Sequence, residues 1–332
     1  MIAVVVVALS LTVLGLPVAL AVDRSLRSLS AIALGFLYGS GLAWAVLLAL
    51  SPFGWTLPRV AIAMLAISGA CLVVAMRAPR AAAGKVRIAW PDVLTALTLV
   101  GFGFFVTLAP LWEWDFWAIW GLKARVFAER GAIDWRFLES AWNTFSHTDY
   151  PLLVPLNLDL VALANGGWDD RWLGLLFVAF AAALVLLVRD LAAEETSPNV
   201  AAWIGFAIAA TACARNAGAA EGLFIAYAGG ALLMLRRALR VNDRAAFRHG
   251  ALLLGLAACT KNEGLALIVS VAIAMIVCGA ARQVPRLWPA LALPLPWLVI
   301  RLFHRLPTDL LSGSLLTRAV SYLPELGVAA RE

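Results

Sequence analysis

Four short polar segments interrupt an otherwise apolar chain, and they carry the residues best suited to chemistry. The segments are WEWD at residues 112–115, HTDYP at 147–151, RNAGAAEG at 215–222 and TKNEG at 260–264. An acid can accept a proton, and a neighbouring cation can hold a negatively charged group. An ionisable side chain costs at least about 2.5–3.5 kcal/mol at the centre of a membrane helix, so such groups in an apolar chain indicate a functional site.

Asp115 is the strongest candidate for a general base among the acidic residues. It lies among tryptophans at the start of a predicted helix over residues 115–130. A helix N-terminus stabilises a carboxylate, whereas partial burial beside indole rings raises its pKa towards that of a useful base. Glu113 is the second predicted catalytic acid. The alternatives are that Asp115 only caps the helix and that Glu113 is a solvated charge at the membrane rim.

His147 and Asp149 form a second predicted catalytic pair. Residues two apart share one side of an extended loop but not one face of a helix. Together they could bind one divalent metal or hold an acceptor, although two ligands alone do not define a metal site. The alternative is a loop pair that hydrogen-bonds to the local backbone.

Several residues near these acids could bind a phosphate at the membrane surface. Arginine does so through paired hydrogen bonds and lysine as a point charge. The predicted substrate- and phosphate-binding residues are Lys123, Arg125, Tyr150, Arg215, Glu221, Lys261 and Glu263. The alternatives are interfacial snorkelling of the cations and, for Lys261 and Glu263, a polar turn between two short spans.

The composition defines the elements that must position these residues. The chain has 332 residues, of which 63% are hydrophobic and 14% are charged. Soluble domains are about 45–50% apolar and about 25% charged, so an ordinary soluble domain and a disordered chain are excluded. About 20 helical residues cross the bilayer core. We predict an all-α polytopic membrane protein with about ten spans, at residues 2–22, 30–50, 59–76, 92–110, 172–188, 199–214, 222–235, 249–260, 264–281 and 287–303.

The distribution of charge predicts the orientation of these spans. The segments 23–29, 77–92, 189–198, 236–248 and 282–286 together hold 14 lysines and arginines and six acids, a net charge of +8. The rest of the chain carries a net charge of −2. Because lysine and arginine accumulate in cytoplasmic loops, these segments are predicted to be cytoplasmic. All four polar segments then lie on the outer face, and the positive net charge needs no nucleic-acid partner.

The predicted outer loop, residues 111–171, differs from the rest of the chain in its aromatic content. Eight of the 14 tryptophans lie between residues 112 and 172. Tryptophan favours the headgroup level of a membrane. We therefore predict two helices in the membrane interface, over residues 115–130 and 151–165. The apolar side of the first helix is formed by Phe116, Trp117, Trp120 and Phe127, and its polar character comes from Lys123, Arg125, Glu129 and Arg130.

The chain resembles the GT-C superfamily of integral-membrane glycosyltransferases. The resemblance covers roughly residues 92–281 and depends on WEWDFWAIWGLKAR at 112–125, SHTDYPLLVPL at 146–156 and TKNEG at 260–264. In that superfamily an acid follows a span in the first large outer loop, and two juxtamembrane helices come after it. The resemblance implies three regions: an N-terminal three-helix region, a catalytic membrane core, and a last span with a short outer tail. They cover residues 1–91, 92–281 and 282–332.

The resemblance also implies an activity. The enzyme would transfer a sugar from a polyprenyl-phosphate carrier to a lipid, glycan or protein acceptor, as mannosyltransferases and aminoarabinose transferases do. Asp115 would be the base, and the cations would hold the lipid phosphate. The resemblance does not define a cofactor, and a divalent metal, Mg²⁺ or Mn²⁺, at His147 and Asp149 is an open alternative. The expected location is a bacterial inner (plasma) membrane, with membrane lipids around the chain and the site facing the periplasm or exterior.

Three rival functions remain at this point. A lipid flippase or transporter would place polar residues at mid-membrane in broken helices, with repeated halves. An O-antigen-ligase-like enzyme would depend on outer arginines and a histidine more than on an acid after a span. A structural membrane subunit would tolerate alanine at Asp115, His147 and Lys261.

Overall fold

The computed structural model describes residues 1–77, 87–109, 113–213 and 218–306, and all regular structure in these ranges is helical. The α-helices are α1 (Ile2–Val22), α2 (Ser28–Leu50), α3 (Leu57–Met76), α4 (Trp90–Leu108), α5 (Gly121–Arg130), α6 (Trp135–Glu139), α7 (Leu153–Asn165), α8 (Asp170–Ala192), α9 (Pro198–Cys213), α10 (Ala220–Val241), α11 (Arg244–Ala258), α12 (Glu263–Val277), α13 (Trp288–Ala292) and α14 (Leu295–Phe303). A π-helical turn, Phe116–Trp120, precedes α5. Short 3-10 turns occupy Ser51–Phe53, Ala141–Ser146 and Ala281–Leu287.

The all-helical class is confirmed, but a count of about ten spans is not. Each of the ten predicted segments contains a helix. In the described ranges, however, only α1, α2, α3, α4, α8 and α10 are long and apolar enough to cross a membrane. A seventh span results if the segments Ala281–Ala292 and Leu295–Phe303, bent by 52°, are taken together. A helix of 15 residues, such as α12, is only about 22 Å long, whereas the bilayer core is about 30 Å thick.

The helices differ in how much of their surface the protein covers. α2 lies at the centre, with 72% of its most apolar stretch buried, whereas the corresponding values for α3 and α4 are 22% and 17%. α3 and α4 leave large aliphatic and aromatic side chains exposed, including Ile62, Leu65 and Phe104. Such exposed apolar faces suit contact with lipid.

The helix over residues 153–165 departs from the predicted interfacial position. The side chains of Leu153–Ala162 are all buried, because α7 packs against α1, α2 and α5. Apolar residues occupy every side of this helix, and a helix that is apolar all round belongs inside a protein. α7 is therefore a short internal helix of the bundle.

Ion pairs gather the predicted cytoplasmic segments at one end of the bundle. Arg27 pairs with Asp190 at 3.1 Å, and Asp92 pairs with Arg189 at 3.0 Å. Arg237, at the end of α10, pairs with Glu194 at 2.8 Å. This end of the bundle is called the basic end below.

Glycines allow α1 and α2 to approach each other closely. Gly15 of α1 lies against Gly35 and Gly39 of α2, and a Cβ atom on Gly39 would overlap the carbonyl group of Leu11. Gly35 and Gly39 are four residues apart on α2, so they face the same neighbour. Small residues at this spacing let membrane helices make backbone contact.

We predict that Gly39→Ala destabilises the protein by about 1–3 kcal/mol, because the added methyl group forces α1 and α2 apart. The free energy of unfolding in detergent, followed by tryptophan fluorescence, measures the effect. Gly101→Ala on α4 is the matched control, since no atom lies within 4 Å of the position its Cβ would take. Equal stabilities of the two variants would contradict the prediction.

Candidate functional site

The segment after Glu113 folds into a π-helical turn that continues into α5. Gly121 makes the turn possible, because a Cβ atom there would lie 2.8 Å from the carbonyl oxygen of Phe116. Phe116, Trp120 and Phe127, which were predicted to form the apolar side of an interfacial helix, are buried inside the protein. Trp117 is 49% exposed. The segment is thus anchored in the protein through three aromatic rings.

Lys123 lies inside the protein, although the sequence placed it on the polar side of the helix. Its Nζ atom donates a hydrogen bond to the carbonyl oxygen of His147 at 2.8 Å. The same atom lies 5.0 Å from the ring centroid of Trp120 and 6.0 Å from that of Tyr150. Complete burial lowers the pKa of Lys123 to about 7, and the negative charge of Asp149 acts in the opposite direction. Lys123 therefore fixes the loop at residues 147–150 in place.

The low pKa of Lys123 makes stability depend on pH. The pKa is about 7 in the folded protein, against 10.5 for an ordinary lysine, so the unfolded chain binds more protons between these values. Stability therefore rises with pH across this window, by up to about 1.4 kcal/mol per pH unit, and is unaffected by this group below pH 7. We expect Lys123→Met to lose the rise in melting temperature between pH 7 and pH 9. The exposed control Arg125→Met is expected to keep this rise in melting temperature. An unchanged rise in Lys123→Met would show that the pKa of Lys123 does not cause it.

The loop at residues 147–150 is shaped by two local features. His147 ends a 3-10 turn with a φ of 48°, which is unusual for a residue other than glycine. Its ring stacks on that of Tyr150, with the centroids 4.8 Å apart. The side chain of Asp149, between these two residues, is buried.

Asp149 holds the loop to α12 and α14. Its carboxylate accepts a hydrogen bond from Nδ2 of Asn262 at 3.1 Å and pairs with Arg301 at 3.7 Å. Nε1 of Trp297 donates to the backbone oxygen of Asp149 at 3.3 Å. Asn262, Trp297 and Arg301 are absent from the predicted site. Arg301 could have been found, because it is an ionisable residue inside the predicted span 287–303.

Lys261 lies between two glutamates beside this loop. Its Nζ atom is 2.6 Å from Oε1 of Glu221 and 3.4 Å from Oε1 of Glu263. Burial acts to lower the pKa of Lys261, but the two carboxylates outweigh it and the pKa is raised. Tyr150 also contributes to the raised pKa of Lys261. Lys261 is thus a permanent cation with its side chain 13% exposed.

Asp115 and Glu113 both lie in partly exposed positions just before the π-helical turn. The backbone oxygen of Glu113 accepts hydrogen bonds from the amides of Phe116 and Trp117. The side chain of Asp115 makes no capping hydrogen bond, so the alternative role as a side-chain cap finds no support. Gly218, three residues before Glu221, packs against Phe116, since a Cβ there would lie 3.0 Å from the Phe116 Cβ.

Other predicted site residues stand apart from this arrangement. Arg125 pairs with Glu129 at 3.0 Å on the protein surface, where both side chains are more than half exposed. Arg215 lies outside the described residues. The described ranges contain no group of three or more histidines, cysteines, aspartates or glutamates that could hold a metal ion. A metal at His147 and Asp149 would therefore need a ligand from elsewhere.

Three contacts join the four polar segments at one end of the bundle. They are Phe116 with Gly218, Asp149 with Asn262, and Glu221 with Lys261. These contacts connect the segment of Asp115, whose carboxylate has no side-chain partner among the described residues, with the segment of the partly exposed Lys261. Such a pair can accept a proton and stabilise a negatively charged leaving group. This end is called the polar end below.

No family model, no curated protein and no solved structure matches the chain.

Proposed function

We propose that the protein is an integral-membrane glycosyltransferase of the GT-C type. It transfers a sugar from a polyprenyl-phosphate carrier to an acceptor at the polar end, which faces the exterior of the cell. The carrying observation is the meeting of the four polar segments, which are far apart in the sequence, through the three contacts described above. An acid and a cation on polar segments that meet at the end of an apolar bundle suit a donor with a lipid tail and a phosphate.

The proposed reaction is a direct displacement at the anomeric carbon. The acceptor hydroxyl oxygen attacks this carbon while the carboxylate of Asp115 takes the hydroxyl proton. The bond between the anomeric carbon and the phosphate oxygen breaks, and its electron pair leaves with the polyprenyl phosphate. Lys261 stabilises the charge that grows on this phosphate.

Lys261 can bind a phosphate by exchanging one of its two carboxylate partners for a phosphate oxygen. Glu263 is the partner that a phosphate oxygen displaces, because it is 53% exposed and its contact with Lys261 is the longer one, at 3.4 Å. Glu221 keeps the 2.6 Å contact and continues to orient the ammonium group. Tyr150, which already acts on Lys261, lies where it can contact the same phosphate.

The buried residues of the site act as positioning groups in this proposal. Lys123 is fully buried and bonded to the carbonyl oxygen of His147, and Asp149 is bonded to Asn262 and Arg301. They hold the loop that carries Tyr150, rather than contacting the sugar. Arg125, which is paired on the surface, contributes to the attraction of the anionic donor.

The proposal is tested with the purified protein in liposomes. Short-chain prenyl-phosphate mannose, glucose and arabinose are supplied in turn, and both released prenyl phosphate and sugar transferred to membrane components are measured. The expected result is release and transfer from one of these donors, which stops in Asp115→Asn. Movement of a labelled prenyl-phosphate lipid across the bilayer with its sugar bond intact would overturn the proposal in favour of a flippase.

A further inference from the structure

A cavity of about 620 Å³ lies at the basic end, between the start of α11 and the segment that precedes α13. Its lining includes three arginines, Arg244, Arg248 and Arg286. The remaining walls are mainly apolar and include Phe247, Leu252 and Trp288. The cavity therefore combines three positively charged side chains with an apolar surface.

The three arginines of this cavity make no ion pair with the described residues. The neighbouring arginines on α10 do: Arg236 and Arg240 pair with Glu195, and Arg237 pairs with Glu194 and Asp243. Two acids adjoin lining residues in the sequence, Asp243 before Arg244 and Asp23 after Val22. The oxygens of Asp243 already bind Arg237 and the first amides of α11. Asp23 accepts hydrogen bonds from the amide and the hydroxyl of Ser25. The three arginines thus have no ion-pair partner in the part of the chain that the structure describes.

The position of the cavity relative to the membrane follows from α11. This helix begins at Arg244 and ends at Ala258, three residues before Lys261. Its 15 residues separate the cavity from the polar end by about 22 Å. Trp288, which is 68% exposed, lies at the mouth of the cavity, and tryptophan favours the headgroup level of a bilayer.

We propose that this cavity binds the phosphate headgroup of an anionic phospholipid. Arg244, Arg248 and Arg286 hold the phosphate oxygens, since guanidinium groups bind phosphate through paired hydrogen bonds. The first carbons of the acyl chains lie along Phe247, Leu252 and Trp288. A soluble phosphate ion would contact only the arginines, whereas a phospholipid contacts both the arginines and the apolar walls of the cavity. The site is independent of the sugar-transfer chemistry.

The test measures lipid binding by native mass spectrometry of the full chain in detergent. Phosphatidylglycerol, phosphatidylcholine and inorganic phosphate are the three probes. We expect phosphatidylglycerol to bind at least tenfold more tightly than either of the others. Equal binding of phosphatidylcholine, or binding of inorganic phosphate as tight as that of phosphatidylglycerol, would overturn the proposal.

Variants locate the binding in this cavity. Removing one arginine near a lipid phosphate costs roughly fivefold in affinity, so Arg244→Gln/Arg286→Gln is expected to bind phosphatidylglycerol about 25-fold more weakly. Arg282→Gln is the matched control, because Arg282 is exposed in the same segment but does not line the cavity. Arg286→Lys, which keeps the charge, retains binding and checks that the fold is intact. An equal loss in Arg282→Gln would show unspecific attraction and refute the site.

Discussion

We expect Asp115→Asn to lower the rate of the proposed sugar transfer by about 10²–10⁴-fold, which is the usual contribution of a general base. The carboxylate is partly exposed and has no side-chain capping bond, so asparagine fits without breaking a structural contact. In the proposed mechanism an amide cannot take the acceptor proton, while Lys261 can still bind the donor phosphate. The loss is therefore expected in kcat, with little change in the apparent affinity for the donor.

The rate is measured as transfer of labelled sugar by the protein in liposomes, with the melting temperature as a check on folding. Glu129→Gln is the matched control, because Glu129 is an exposed acid on the same segment and pairs only with the surface residue Arg125. It is expected to keep the wild-type rate. A folded Asp115→Asn variant with full activity would remove Asp115 from the mechanism.

Arg301→Met lowers the free energy of unfolding by about 3–5 kcal/mol, because it leaves the buried carboxylate of Asp149 without its arginine. The side chains of Arg301 and Asp149 are only 10% and 4% exposed. Asp149 also connects the loop at residues 147–150 to Asn262. Arg301→Met is therefore expected to disturb the loop at residues 147–150 as well as to lower the stability.

Chemical unfolding in detergent measures this effect. Arg171→Met is the control, since Arg171 pairs with Asp169 at the surface and an exposed pair contributes at most about 1 kcal/mol. The double variant Asp149→Asn/Arg301→Met should lose less than the sum of the two single variants, because no unpaired charge remains buried. Additive losses would show that the two residues do not interact.

The sequence predicted the helical class and the polar segments, but it could not tell lipid from protein as the apolar neighbour. Both exclude water, so the residues of α7, which the protein buries, and the exposed residues of α4 give the same hydropathy signal. The predicted number of spans is unconfirmed for a related reason. A window of apolar residues does not show whether its helix is long enough to cross a bilayer.

Two features of the site also depend on tertiary contacts that no local pattern contains. Lys123 was placed on a polar face because a lysine is expected to reach water, yet a carbonyl group and two aromatic rings surround it. Arg301 reaches Asp149 from a helix far along the chain. Lys261 was easier to predict, because its partners Glu221 and Glu263 lie in segments that were already polar.

The π-helical turn at Phe116–Trp120 has a consequence for tracing the ancestry of this protein. A π turn holds one more residue than the α-helix it interrupts, and one residue corresponds to about 100° of helix rotation. A homologue without that extra residue would point the side chain equivalent to Asp115 in a different direction relative to α5, although its sequence looked nearly the same. Insertion or loss of a single residue near position 118 is therefore an evolutionary route by which this scaffold could gain or abandon its chemistry.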